Sequence, residues 1–186
     1  IMEHNPENRQ PWRGESGLQR SGHYLGGEIL KTIAAAVDPM PGQSLAIQQE
    51  RLQIPMRPWP EDFDPNTLAS AGFRDFFNKS RDMWPDLMRT ENPVSVPVSV
   101  LRLGNAVVCT NPGEFYCRFG LDIKAASPAD VTLIAELVDG CVGYLPTPEA
   151  VERGGYSAYP GRQCKLIPEA GGRVVTATRR MRAQVF

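Results

Sequence analysis

Two turns in this chain place reactive side chains after strand-like runs. The first is Asn111-Pro112-Gly113-Glu114-Phe115, directly after Ala106–Thr110. Pro and Gly build a sharp turn there, with Glu114 at its exit near an expected helix start. A carboxylate in that place can satisfy free backbone N–H groups. At a strand end it can equally be a metal ligand or a general base. The second turn runs from Asp139 to Glu149 and contains Tyr144, Thr147 and two glycines that let the backbone approach something closely. Tyr156 follows twelve residues after Tyr144, beyond a short expected helix. From spacing alone, each tyrosine reads first as a buried ring with a satisfied hydroxyl.

These residues need elements to hold them. Leu25, Ile29, Ile33 and Val37 recur every four residues, which predicts a helix over Gly22–Val37, stopped by Pro39 and Pro41-Gly42. Residues 1–20 read as an irregular arm. In Leu45–Ile54 the apolar alternation changes face midway, which predicts a bulge or two short strands. Residues 61–92 read as a helical, aromatic-rich insertion, with Phe73, Phe76, Phe77, Trp84, Leu87 and Met88 on one stripe interrupted near Pro85. Such a stripe serves as core, as a subunit contact, or as a lid over an apolar substrate.

Val94–Val100 alternates as a half-buried strand, and Pro97 on its polar face predicts an edge. Leu103–Thr110 follows as a hairpin partner through Gly104-Asn105 or as a continuation. A helix is expected over Phe115–Ala126, a buried strand over Val131–Val138 and a short helix from Pro148-Glu149 to Gly154. The last helix starts near Pro168-Glu169. Val174, Thr178, Met181 and Val185 face inward, and Arg173, Arg179, Arg180 and Arg182 face solvent. Strands and helices interleave. The expected fold is therefore α/β, or α+β layered, with a mixed sheet flanked by helices and ligand chemistry at strand ends.

Composition narrows the chemistry. The chain has 186 residues and a formal net charge of −1, so it carries no global field for nucleic acid. The 17 Gly and 17 Pro, well above average usage, signal many turns. No apolar stretch reaches the length of a transmembrane helix, and the first residues are too polar for a signal peptide. Cys109, Cys117, Cys141 and Cys164 are widely spaced, which argues against a zinc finger or a disulfide scaffold and for buried free thiols. Only His4 and His23 are present, too few for a self-contained metal site resting on histidines. P-loop, GxSxG, GxGxxG and HExxH motifs are absent.

The run Asn-Pro-Gly-Glu-Phe, the 131–138 strand, Gly-Tyr-Leu-Pro-Thr-Pro-Glu and then Gly-Gly-Tyr resemble the C-terminal half of the neutral ceramidase superfamily catalytic domain. The shorter bacterial neutral/alkaline non-lysosomal ceramidase-like branch is the nearer likeness. The resemblance is firm over 103–159 and looser over the rest of 21–186. It implies that Glu114 and Tyr144 are zinc ligands and that Tyr156 helps hold the reacting amide. Pro146, Ala150 and Val151 depart from the family's loop pattern. The family's zinc-binding histidines and its catalytic-serine segment would lie upstream of anything present, and His4 and His23 do not match them.

Three expectations follow. The first is a Zn2+-dependent amide hydrolase, acting on a small-molecule or lipid N-acyl amide. Its site would be completed by a missing N-terminal half or by a partner subunit that supplies histidines; the start at Ile1 is taken to fit either. The second is a ceramidase-like subunit without catalysis, acting in assembly. The third is a hydrolase of a small polar amide or ester on the same scaffold.

Overall fold

The computed structural model describes residues 14–36 and 44–186. They fall into two units, one within Ile1–Met40 and one spanning Pro41–Phe186. The first is a single helix, α1 (Gly14–Ala35), which begins inside the stretch expected to be irregular. Glu15 sits in its first turn, where negative charge suits a helix start. Leu25, Ile29 and Ile33 lie on it and are exposed by 50% to 65%. Residues 1–13, and Val37 with the expected proline stop, lie outside the described residues.

The second unit is α+β. A four-stranded sheet has the order β1 (Leu45–Ile54), β2 (Val94–Leu103), β3 (Ala106–Thr110), β5 (Val131–Ala135). The first three strands are antiparallel, and β3 and β5 are parallel. A separate parallel pair joins β4 (Gly113–Phe115) to β6 (Gly143–Leu145). The helices are α2 (Ala71–Thr90), α3 (Cys117–Ala125), α4 (Pro148–Arg153) and α5 (Ala170–Val185).

The β1 pattern is explained without a bulge. Its register against β2 is unbroken from Leu45↔Leu103 to Ile54↔Val94. Leu52 and Ile54 point to the face that carries Val96, Val98 and Val100. Leu45 and Ile47 point to the opposite face. One straight strand thus turns apolar residues to opposite sides at its two ends. Pro97 does not mark an edge strand either, because β2 lies inside the sheet. β3 flanks β2 only from Ser99 onward, so at Pro97 the sole neighbour is Arg51 of β1 and no ladder bond on the other side is lost.

One face of the sheet is closed by α5 and α3. Val174, Thr178, Met181 and Val185 of α5 are buried, as the periodicity requires. Of the four arginines expected to face solvent, Arg173, Arg179 and Arg180 are exposed and Arg182 is not. Arg182 is 6% exposed and donates to the Ile123 carbonyl (2.8 Å) and to the Ala126 carbonyl. Arg179 donates to the Asp122 carbonyl (2.6 Å), and Arg180 pairs with Glu50 of β1. The α3 helix ends with carbonyls that lack intrahelical partners, and the α5 arginines satisfy them.

The α2 helix continues through Pro85. Phe77, Trp84 and Leu87 are buried, while Phe73 and Phe76 stay 46% and 38% exposed. The stripe is therefore core along one edge and surface along the other. Cys109 and Cys164 are buried, and Cys117 and Cys141 are exposed, which corrects the expectation of four buried thiols. Burial pushes the Cys109 thiol up to about 11, so it stays protonated and inert. Among the described residues no helix is long and apolar enough to cross a membrane.

Candidate functional site

The hairpin Gly104-Asn105 returns β2 into β3, and β3 delivers its last residue, Thr110, to the Asn111 turn. Asn111 is 2% exposed and organises that turn. Its Oδ1 accepts from Gly113 N (2.9 Å), its N–H donates to Ala135 O (3.0 Å), and its carbonyl accepts from Val138 N (3.1 Å). The turn is thereby tied to the end of the parallel neighbour β5.

Glu114 is in a strand. The expectation of a carboxylate at a helix start is corrected, since β4 carries it and the N-cap of α3 is Tyr116. The β4–β6 register pairs Glu114 directly with Tyr144. A pair this short forms because its neighbours are small. A Cβ on Gly113 would lie 2.5 Å from Leu145 Cδ1. Gly143 has φ +84°, and its N-terminal strand end is pinned by the Tyr144 N–H bond to Gln163 O (2.6 Å).

The two side chains meet. Tyr144 stands beside Glu114 as its cross-strand partner. Hydrogen bonding to that carboxylate, then burial, then the charges of Glu114, Tyr156 and Tyr116, raise the phenol above its ordinary value. Tyr156 is the third member. Its ring lies edge-on to Tyr144 at 6.0 Å between centroids and is stacked on Phe73 at 5.6 Å with a 23° interplanar angle. The sequence separates Glu114, Tyr144 and Tyr156 widely, and the fold brings all three to one place.

The loop that carries Tyr156 is fixed from below. Buried Arg57 donates to the Ala158 carbonyl (3.0 Å). Gln163 Nε2 donates to the Tyr156 and Tyr159 carbonyls (3.3 and 3.2 Å), and the Tyr116 hydroxyl is 2.6 Å from Ser157 Oγ. Tyr116, Ser157 and Glu136, whose Oε2 accepts from Phe115 N (3.1 Å), were not singled out in the sequence. Tyr116 directly follows the Asn-Pro-Gly-Glu-Phe run, so its position was the available signal.

The entry to the Tyr156 loop depends on α4. Thr147 is its N-cap, and Thr147 Oγ1 accepts from Ala150 N (3.3 Å). Gly154 closes it at φ +73°. Replacing Thr147 by Ala should cost about 1 kcal/mol, as N-cap losses do. Urea unfolding checks this; a change within about 0.5 kcal/mol, the range of ordinary surface substitutions, would deny the cap a role.

Among the described residues, no group of three or more His, Cys, Asp or Glu could hold a metal ion. The donor set here is one carboxylate and one phenol, cross-strand partners on β4 and β6. Both are oxygen donors, and they fit two positions of a zinc shell, which takes about three or four protein ligands.

No protein-family model matches the chain, and no curated protein does. Among solved structures, it is similar to a ceramidase complexed with C2 and to the neutral ceramidase from Pseudomonas aeruginosa. Each has 16% identity and a TM-score of 0.43. The match covers 50% of this chain and 16% of each of those chains, a distant structural likeness.

Proposed function

We propose that this chain carries part of the active site of a zinc-dependent amide hydrolase of the ceramidase-like type, completed by ligands from outside the described residues. The observation that supports this is the pairing of Glu114 with Tyr144 on adjacent strands, with Tyr156 beside them. Glu114 and Tyr144 would hold the metal as two of its ligands. When bound, zinc polarises an amide carbonyl and lowers the pKa of water towards about 7. Tyr156, partly exposed and edge-on to Tyr144, would donate a hydrogen bond to the oxygen that gains charge. Phe73 and Phe77 flank its ring and limit its rotamers, so the donor is oriented before a substrate arrives.

The test is metal content and hydrolysis of N-acyl amides by the complete assembly. Stoichiometric zinc, removed by chelator together with activity, is expected. A folded assembly with no zinc and no hydrolysis would instead favour the non-catalytic subunit reading.

Metal binding at this pair has a definite pH sign. Zinc that takes Tyr144 as a ligand must displace its proton. The hydrogen bond to Glu114 raises that phenol, so the proton is still bound well above neutral pH. Proton competition therefore weakens zinc as pH falls. Affinity should rise about tenfold per pH unit between roughly pH 7.5 and 9, one proton being released per metal bound. Competition titration with a chelating dye measures the slope. Tyr144→Phe should lose it, and an unchanged slope in that variant would exclude Tyr144 as a ligand.

A further inference from the structure

Guanidinium groups in the second unit serve as staples between backbone carbonyls. Arg182 donates to two of them. Arg102 donates to the Gly104 and Val185 carbonyls (2.8 and 2.7 Å), with the Phe186 ring 4.1 Å away. Arg57 is different. It is 9% exposed, and its hydrogen bonds come from Nη1 alone, to the Ala158 carbonyl (3.0 Å) and more weakly to Cys164 Sγ (4.0 Å). Among the described residues no carboxylate pairs with it. Its Nε and Nη2 donate to nothing there, yet neither is sealed from solvent. The buried side-chain polar atoms left without a partner among those residues are Asn78 Oδ1 and Gln163 Oε1.

A cation drawn out of water is normally offset by a counter-ion. Cys164 does not supply one. Burial pushes its thiol up, against the pull of Arg57, so it is uncharged near neutral pH. A carbonyl staple accounts for Nη1 and leaves the Nε–Nη2 fork unused. That fork matches a planar carboxylate with two parallel bonds. The backbone behind it is fixed, since Arg57 N donates to the Lys165 carbonyl (2.9 Å) and Trp84 Nε1 donates to the Arg57 carbonyl (3.2 Å). Both segments that carry the candidate tyrosines adjoin it. Ala158 follows Tyr156 by two residues, and Cys164 is bridged to Gly143, the neighbour of Tyr144. One positive charge suits a monoanion. Lys165 is taken by Glu91 (2.6 Å), so it does not reinforce the fork toward a phosphate dianion.

We propose that Arg57 binds the carboxylate of the substrate, so that the amide handled beside Glu114, Tyr144 and Tyr156 belongs to a small acid, an N-acyl amino acid being the simplest. The proposal rests on the hydrolase reading above and narrows it to charged amides. Arg57 takes no part in bond cleavage. It holds the end of the substrate that does not react, and such remote binding energy orients the amide at the reacting centre.

The experiment uses the protein as purified from its source cells, before and after zinc removal by chelator. Ligand-observed NMR compares N-acetylglycinate with its uncharged amide, N-acetylglycinamide, at constant ionic strength. The acid should bind about 10- to 100-fold more tightly, the range of a charge-assisted hydrogen bond, with or without zinc. Hydrolysis by the complete assembly should favour the acid by a similar factor in kcat/KM. Arg57→Gln should erase the preference. Arg57→Lys, which keeps the charge and loses the fork, should lose most of it. Where Arg57→Gln does not fold, the Lys variant and the two probes on the unaltered protein decide. Equal binding of the two probes would overturn the proposal, as would an unchanged preference in the folded variants. Inorganic phosphate displacing the acid at a lower concentration than the acid itself needs would overturn it too, by making this a phosphate site. Glu114→Gln separates the two readings, since it should lose zinc and keep the preference for the acid. That preference in a protein that never holds zinc would sink the hydrolase reading and leave the carboxylate site standing. An active zinc hydrolase without the preference would sink this proposal alone.

Discussion

Replacing Glu114 by Gln should reduce zinc-dependent turnover in the complete assembly by on the order of 10³-fold or more. Losing a hydrogen-bond partner outside the ligand shell typically costs 10- to 100-fold. Losing one of about four direct ligands must exceed that, and 10³-fold corresponds to about 4 kcal/mol of transition-state stabilisation. The substitution preserves volume and the capacity to accept from the Tyr144 hydroxyl, so β4–β6 pairing should survive and the fold should not change. Equal Tm with lost zinc is the expected signature. A variant with full activity and full zinc content would show that the Glu114–Tyr144 contact is only a structural hydrogen bond.

The largest stability effect is expected at Gly143. A Cβ there would stand 2.4 Å from the Gln163 carbonyl oxygen and 2.8 Å from its carbon. Both atoms are backbone, so no side chain can swing aside. The φ of +84° adds strain for any L residue. Overpacking costs about 1–3 kcal/mol and the backbone conformation about 1–2 kcal/mol more. Gly143→Ala should therefore destabilise by about 2–5 kcal/mol, lowering Tm by roughly 10 °C for a chain of this size. It should also break the Tyr144 N–H bond to Gln163 and displace the Tyr144 ring. Gly172→Ala on α5 is the control. Its Cβ meets nothing within 4 Å, so the change should be neutral or slightly stabilising. If the two variants melt alike, close backbone approach is not what Gly143 provides.

The sequence carried the turns around Glu114 and Tyr156 more clearly than the strands that hold the candidate residues. Pro-Gly before Glu114 announced a turn, and the spacing around Pro148 announced α4; both are present. That Glu114 belongs to a three-residue strand was not readable, because β4 and β6 are too short for periodicity and exist only through each other. The α5 stripe was legible because four buried residues follow a helical period, but Arg182 was misplaced. A buried arginine satisfied by carbonyls of another helix leaves no local signal. The change of face in β1 was visible as an anomaly and misread as a bulge. Its meaning needed the register, which shows apolar residues on opposite faces at the two ends of one strand. Pro97 misled similarly, since a strand can be central along half its length and single-sided along the rest.

The account stands on one claim, that Glu114 and Tyr144 are ligands of the same zinc ion. Anomalous diffraction at the zinc edge from crystals of the complete assembly tests it most directly. The account predicts one strong peak about 2.0–2.2 Å from both a Glu114 carboxylate oxygen and the Tyr144 phenolic oxygen, with the Tyr144-to-Glu114 hydrogen bond gone. Zinc bound elsewhere, or no peak with Tyr144 still donating to Glu114, would contradict it.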